Sequence, residues 1–250
     1  MSIYGLMYLA ACGLIWLLDS RLPPVGAPGL PPLAPAAWTR LMVWAMAGAI
    51  IGGRLGYALI YEPMFYRAAP GEIFRLWRGG MSFHGGLLGA VLAARLSGGR
   101  AWFRPALDRL ALLAPLGLAL GRLGNFWLGE LWGRPSALPW AVVFAGAGPE
   151  PRHPTQLYEA IWEGPLLALI VFTIYRKPGA APGRAAAGFA IFYSLGRIAV
   201  EFWRAPDPAW GYLAGGWLTL GQLLSLALLA AGLALIFQGR PRAAQGRPYG

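Results

Sequence analysis

The chain has 250 residues, of which 57% are hydrophobic and only 12% are charged. About a quarter of the residues in an average soluble domain are charged, so this composition excludes an ordinary soluble enzyme and predicts an integral membrane protein. The formal charge of +11 then indicates membrane topology and attraction to anionic head groups of the lipid bilayer. No nucleic-acid partner is expected from it.

Apolar runs of about 20 residues can cross a bilayer as helices, and the chain contains seven candidates. The sequence therefore predicts an all-α bundle of about seven transmembrane helices. The bundle forms a single domain without internal repeats, with a small outer segment over 122–156. The predicted spans lie near residues 2–18, 38–61, 82–97, 106–121, 157–175, 186–203 and 217–237.

The basic residues orient this bundle. With the amino terminus outside, twelve of the 21 Lys and Arg residues fall in cytoplasmic segments and seven in outer segments. The positive-inside rule then predicts an outer amino terminus and a cytoplasmic carboxyl terminus, in a bacterial inner (plasma) membrane. The first apolar run starts at Ile3 with no basic residue before it, so we interpret it as a span rather than a cleavable signal peptide.

Cys12, the only cysteine, lies inside the first predicted span. A single cysteine excludes a disulfide framework, and no Cys/His spacing typical of a metal site occurs in the sequence. Packing is the expected role of Cys12, and neither a metal nor another cofactor is expected.

Residues 121–133 place Arg122, Asn125 and Glu130 at the end of an apolar run. An ionisable side chain at the centre of a bilayer costs roughly 2.5–3.5 kcal/mol on insertion scales, so such residues are typical of ligand or partner sites. Four glycines in the same segment allow a backbone to approach a ligand or another helix closely. Small residues at a helix crossing, with Arg and Glu paired locally, would explain this segment equally well.

His84 is the first of two histidines and lies in Gly-Gly-Met-Ser-Phe-His-Gly-Gly at 79–86, at the start of the third predicted span. Imidazole is suited to taking a proton near neutral pH, and the flanking glycines would admit a substrate. The alternative is a histidine whose ring bonds a backbone carbonyl at a helix start. His153 is expected in a structured outer loop.

The sixth predicted span carries Tyr193, Arg197 and Glu201 at intervals of four residues. This spacing predicts one polar stripe on an otherwise apolar helix. Arg197 and Glu201 could simply neutralise each other. A second arginine, Arg122, on a different span favours a further role, because two guanidinium groups suit bidentate capture of a phosphate.

Five blocks, which occur in order along nearly the whole chain, resemble the bacterial prolipoprotein diacylglyceryl transferase family. The blocks are Tyr-Gly-Leu-Met-Tyr at 4–8, Gly-Gly-Met-Ser-Phe-His-Gly-Gly at 79–86, Gly-Arg-Leu-Gly-Asn-Phe at 121–126 with Gly-Glu-Leu-Trp-Gly-Arg at 129–134, Arg-His-Pro-Thr-Gln-Leu-Tyr-Glu at 152–159, and Tyr193 through Arg197 to Val-Glu-Phe-Trp-Arg-Ala-Pro-Asp at 200–207.

The resemblance implies a seven-helix inner-membrane enzyme that acts on phosphatidylglycerol and on the signal peptide of a prolipoprotein. It would move the diacylglyceryl group of the lipid onto the lipobox cysteine thiol, form a thioether and release glycerol phosphate. This is the first step of lipoprotein maturation.

The resemblance also implies roles for individual residues. Arg122 matches the family's phosphatidylglycerol-binding arginine, His84 its essential histidine and Tyr4 its functional tyrosine near the amino terminus. The remaining matches are Asn125, Glu130 and Gly133 in the signature and Tyr193, Arg197 and Glu201 in the polar stripe.

Two positions depart from the family pattern. The chain begins three residues before Tyr4, so an outer segment that usually precedes this block is truncated or absent. Leu128 replaces a common Asn, which removes one amide near the implied site.

Physical reasoning and resemblance lead to one mechanism. His84 is the candidate base for the thiol, and Arg122 and Arg197 would hold the departing phosphate. The arginine-rich field could instead activate the thiol without a base. A lipid or solute transporter is a rival function, but the sequence lacks the matching halves that inverted repeats leave. A non-catalytic membrane assembly factor is the other rival, and it would not need His84 beside two phosphate-suited arginines.

Overall fold

The structure is a computed structural model that describes residues 3–26, 31–207 and 209–238. Within these ranges the chain is helical, with isolated β-bridges and no strand, which confirms the predicted all-α class. The helices are α1 (Ile3–Ser20), α2 (Pro35–Ile60), α3 (Pro63–Ala68), α4 (Phe83–Leu128), α5 (Thr155–Ile161), α6 (Leu167–Tyr175), α7 (Arg184–Glu201) and α8 (Leu220–Gln238).

Several helical stretches are long and apolar enough to cross a membrane, so the chain is a multi-pass membrane protein. α5 and α6 form one such stretch because a π-helical turn, Trp162–Leu166, joins them across a kink at Gly164. Pro165 lies in this turn and has no N–H to donate, which accounts for the departure from α-helical bonding. The stretches are Pro35–Ile60, Phe83–Leu128, Thr155–Tyr175 and Leu220–Phe237, with a shorter apolar helix at Leu9–Ser20.

α4 corresponds to two predicted spans. Gly99 (φ 69°, ψ 174°) breaks its helical geometry, and φ in this range favours glycine. The second half continues to Leu128, seven residues past the predicted boundary, and ends at Gly129 in the left-handed conformation. Arg122 and Asn125, the first polar residues of the predicted outer segment 122–156, therefore lie on this helix. Buried carboxylates neutralise Arg122 on this helix.

A seam of glycines joins α2 to the first half of α4. A Cβ at Gly56 would lie 2.9 Å from the Cα of Gly85, and a Cβ at Gly52 would lie 3.0 Å from the Cα of Gly89. Contacts this short admit no side chain, so the two backbones touch directly. This seam fixes the start of α4, where His84 lies.

Arg54 of α2 organises the segment that leads into α4. Its side chain is 4% exposed and donates five hydrogen bonds to backbone carbonyls of residues 72–80. The acceptors are the carbonyls of Glu72, Ile73, Arg75, Gly79 and Gly80, at 2.5–3.1 Å. One buried guanidinium thus satisfies carbonyl groups that an irregular segment would otherwise leave unpaired.

Polar contacts also anchor the middle of α4, in the first part of its second half. Asp108 accepts hydrogen bonds from the N–H groups of Gly183 (2.7 Å) and Ala186 (2.9 Å), and so caps the start of α7. Arg109 forms a 2.6 Å ion pair with Asp19 at the end of α1. These contacts set the position of α7 along α4.

Candidate functional site

Six charged side chains from three helical stretches and one loop meet inside the bundle, and we call them the charge cluster. Its three arginines and three glutamates carry no net charge when all six are ionised. Such mutual pairing is what makes buried ionised groups tolerable. The members are Arg122 on α4, Glu159 on α5, Glu163 in the π-helical turn, Arg197 and Glu201 on α7, and Arg204 beyond α7.

Arg122 is held by two carboxylates. Its Nε and Nη2 contact the two oxygens of Glu163 at 2.8 and 3.1 Å, a bidentate arrangement. Its Nη1 lies 3.0 Å from Oε2 of Glu159. The sequence placed Arg122 near a ligand, and the structure places it between two glutamates that the sequence analysis did not assign.

Glu159 is the centre of the charge cluster. It is 1% exposed and contacts Arg122, Arg197 at 3.1 Å and Arg204 at 3.2 Å. Glu159 and Glu163 are four residues apart in an apolar run. This spacing places both on one helix face, and charged residues in such a run usually face the bundle interior. The sequence analysis missed Glu159, Glu163 and Arg204.

The polar stripe of α7 lies in the same place. Arg197 pairs with Glu201, as their four-residue spacing predicts. Oε1 of Glu201 also accepts a hydrogen bond from the Thr219 hydroxyl at 2.9 Å. Tyr193 is fully buried, and its ring stacks on Phe83 at a centroid distance of 4.2 Å. The stripe is therefore turned towards α4 and the charge cluster.

His84 lies in the first turn of α4, next to Phe83. Ser82 caps this helix by accepting a hydrogen bond from the Gly85 N–H at 3.3 Å. Arg197 and Arg122 are near enough to act electrostatically on the His84 ring. Nε2 of His84 and the hydroxyl of Tyr193 are buried without a hydrogen-bond partner among the described residues. Buried polar groups are rarely left in this condition, so both atoms are available to a ligand.

The other signature residues build the turn beyond α4. The Asn125 carbonyl accepts the Glu130 N–H at 2.9 Å, and the Glu130 carbonyl accepts from the Gln156 side chain at 2.5 Å. A Cβ at Gly133 would come within 2.6 Å of the His153 Cβ, so only glycine fits there. The contacts described here use backbone atoms of Asn125 and Glu130. The side chain of Tyr4 lies outside what the structure describes.

The turn beyond α4 reaches the segment that carries Arg204. The N–H of Arg134 donates to the Trp203 carbonyl at 2.8 Å, and the Arg134 side chain donates to the Arg204 carbonyl at 3.2 Å. Arg204 is thus fixed by long-range contacts that no local pattern reveals.

His153 belongs to the same outer structure. Its Nδ1 lies 3.2 Å from the Tyr158 hydroxyl, which accepts a hydrogen bond from Trp140 at 2.8 Å. Burial lowers the pKa of His153 from its ordinary value. These contacts agree with the structured loop expected from the sequence.

In the part of the chain that the structure describes, no three His, Cys, Asp or Glu residues are grouped to hold a metal ion. The charge cluster brings together Arg122, Arg197 and Glu201, with Tyr193 and His84 beside it. Asn125 lies in the last turn of α4, and Glu130 and Gly133 lie in the segment that follows it. The arrangement offers guanidinium groups for an anion and one imidazole nitrogen for a proton.

Comparison with known proteins identifies the family. Residues 1–238 match the model of the prolipoprotein diacylglyceryl transferase family. Relatives named phosphatidylglycerol–prolipoprotein diacylglyceryl transferase include one from Nitratidesulfovibrio vulgaris, 47% identical over 95% of this chain and 89% of its own. Another, from Pseudomonas paraeruginosa, is 46% identical over 93% of this chain and 87% of its own. A third, from Pseudomonas putida, is 44% identical over 98% and 92%. The chain therefore belongs to the prolipoprotein diacylglyceryl transferase family.

Proposed function

We propose that the whole chain is one transferase domain that moves the diacylglyceryl group of phosphatidylglycerol onto the lipobox cysteine thiol of a prolipoprotein signal peptide. The single observation that carries this proposal is the convergence of Arg122 and Arg197 on Glu159, beside a His84 whose Nε2 has no hydrogen-bond partner in the described part of the chain. The names of the relatives supply the two substrates.

In the proposed reaction, the cysteine sulfur attacks the diacylated glycerol unit of phosphatidylglycerol, at the carbon that bears the phosphate ester. A C–S bond forms while the C–O bond breaks, and the electron pair of that bond goes to the phosphate oxygen. The products are a thioether and glycerol phosphate. The thiol loses its proton before or during the attack, because the thiolate is the nucleophile.

Arg122 and Arg197 have the chemistry to hold the departing phosphate. Guanidinium groups remain charged when they lose water, and their interaction with developing negative charge is stronger in a buried site than in water. Their carboxylate partners and the packing of α4 against α7 fix them before substrate binds. Such preorganisation avoids reorientation during the reaction.

Two ways of activating the thiol fit the site. Nε2 of His84, which has no hydrogen-bond partner among the described residues, can accept the thiol proton. Alternatively, the positive field of the arginines stabilises the thiolate without a base. The pH dependence of transfer by His84→Ala separates the two.

We further propose a bacterial plasma-membrane location with the amino terminus outside and the carboxyl terminus in the cytoplasm. The distribution of basic residues supports this orientation. With this orientation, the turn beyond α4 and the His84 end of the bundle lie on the outer side of the membrane. The lipobox cysteine of an exported prolipoprotein reaches this side.

The test uses purified protein, phosphatidylglycerol radiolabelled in its glycerol backbone, and a lipobox peptide. We expect label on the cysteine peptide in a bond that survives alkaline removal of the acyl esters, and none on a matched peptide with serine in place of cysteine. Label that moves between leaflets without reaching the peptide would favour a transporter. Peptide binding without transfer would favour an assembly factor, and either result would contradict the proposal.

A further inference from the structure

We propose that Glu163 is a displaceable counter-ion of Arg122 and that binding of the phosphatidylglycerol phosphate is coupled to uptake of one proton by Glu163. This inference rests on the proposed function, because it assumes that the lipid phosphate binds Arg122. It deepens that function by identifying which residue sets lipid affinity.

Glu163 binds the two N–H donors of Arg122 that a phosphate would also bind. The Nε and Nη2 groups of a guanidinium form its bidentate edge, and both contact Glu163, at 2.8 and 3.1 Å. The third nitrogen, Nη1, contacts Glu159. A phosphate and the Glu163 carboxylate therefore compete for the same two N–H donors.

Among the three carboxylates, Glu163 has the fewest contacts within the described part of the chain. Glu159 contacts three arginines, and Glu201 contacts Arg197 and the Thr219 hydroxyl. Among the described residues, Arg122 is the only ion-pair partner of Glu163. An entering anion displaces it with the loss of one ion pair.

Charge balance requires more than displacement. The charge cluster is neutral with all six groups ionised, and a phosphodiester adds one negative charge. Uncompensated charge is costly in a buried site, so one carboxylate must become neutral. The groups that face Glu163 are Arg122 from α4, Glu159 on its own helix, and Tyr193 and Arg197 from α7. A proton on Glu163 restores neutrality at the carboxylate that the phosphate displaces, and it leaves the ion pairs of Glu159 and Glu201 intact.

The surroundings of Glu163 can receive a displaced, protonated side chain. Glu163 lies in the π-helical turn, beside Gly164 with its non-helical φ of −92° and ψ of −106°, and π-helical turns are frequent at functional sites. The buried Tyr193 hydroxyl has no hydrogen-bond partner among the described residues and can accept a hydrogen bond from the O–H of a neutral carboxyl.

The experiment measures phosphatidylglycerol binding to purified protein in detergent, without peptide, from about pH 6 to 9. Uptake of one proton makes the Kd of the wild type rise by up to about tenfold per pH unit. Glu163→Gln keeps the shape of the side chain without its charge, so we expect tighter binding at high pH and no pH dependence. Glu163→Asp leaves a titratable carboxyl at 163 and is the matched control that should retain the slope.

A wild-type Kd that does not change with pH would overturn the inference, as would a Glu163→Gln variant that keeps the wild-type slope. Diacylglycerol, which lacks the phosphate, should bind without pH dependence in every variant. Because no peptide is present, the result is independent of transfer. Protein that binds the lipid with the expected slope but labels no cysteine peptide would contradict the proposed function and leave the role of Glu163 standing.

Discussion

The indole N–H of Trp162 donates to the backbone carbonyl of Phe192 at 2.9 Å, and the indole ring passes over Gly196 of α7. This contact places the π-helical turn against α7. Glu159 and Glu163 therefore face Arg197 and Arg122. The charge cluster thus depends on Gly196, because only a glycine leaves room for the Trp162 ring.

Gly196→Ala should destabilise the protein, because the new methyl group would overlap the Trp162 ring. Overpacking of this kind typically costs about 1–3 kcal/mol. Thermal unfolding in detergent should show a lower Tm, and transfer activity should fall with it. Gly13→Ala in α1 is the matched control, since the space around Gly13 is open. An unchanged Tm for Gly196→Ala would show that the turn can move away from α7.

Arg122→Ala should abolish transfer while the protein remains inserted in the membrane. Loss of one preorganised donor to a developing charge typically lowers kcat by about 10²–10³-fold. Arg122→Lys should also be poor, since an ammonium cannot form the bidentate contact. Transfer to a lipobox peptide measures both, with the exposed Arg67→Ala as control. Wild-type turnover in Arg122→Ala would rule out the phosphate-binding role.

Glu201→Gln should lower activity, because a neutral amide holds Arg197 less firmly than a carboxylate does. The amide oxygen can still accept the hydrogen bond from the Thr219 hydroxyl. Tyr193→Phe should have a smaller effect, since the ring packing on Phe83 remains. Steady-state rates for the two variants and for Arg197→Ala give the comparison. If Glu201→Gln is unchanged and Arg197→Ala is active, the stripe is only a structural ion pair.

His84→Ala tests the origin of the thiolate. If His84 is the base, turnover should fall at neutral pH and recover in part as the pH approaches the ordinary thiol pKa of about 8.5. The measurement is the ratio of variant to wild-type rate from about pH 6.5 to 9. A flat ratio would assign His84 a shaping role and leave activation to the arginines.

Arg54→Lys should loosen residues 72–80 although the charge is kept. A lysine has three N–H donors and cannot reach five carbonyl groups, and each lost hydrogen bond is worth about 1 kcal/mol. Hydrogen exchange should therefore become faster in this segment. The exposed Arg67→Lys should leave the exchange unchanged. Equal protection in Arg54→Lys would mean that the segment holds its own conformation.

The sequence predicted those features that depend on local pattern. Apolar runs located the helices, and four-residue spacing predicted the contact of Arg197 with Glu201. The end of α4 was misplaced because Arg122 and Asn125 lower the hydropathy of a helix that tertiary contacts extend. Arg204 was missed because it lies outside the apolar runs. Its contact with Glu159 joins residues 45 positions apart, and no local periodicity records such a distance.

The glycine seam between α2 and α4 determines which side of the bundle is closed to lipid. A methyl group on Gly52 or Gly56 would already collide with the opposite backbone, and an acyl chain is wider than a methyl group. No hydrocarbon tail can pass between these two helices to reach His84. The two-tailed lipid of the proposed reaction must therefore enter the bundle through a different face. The seam is a closed side of the bundle.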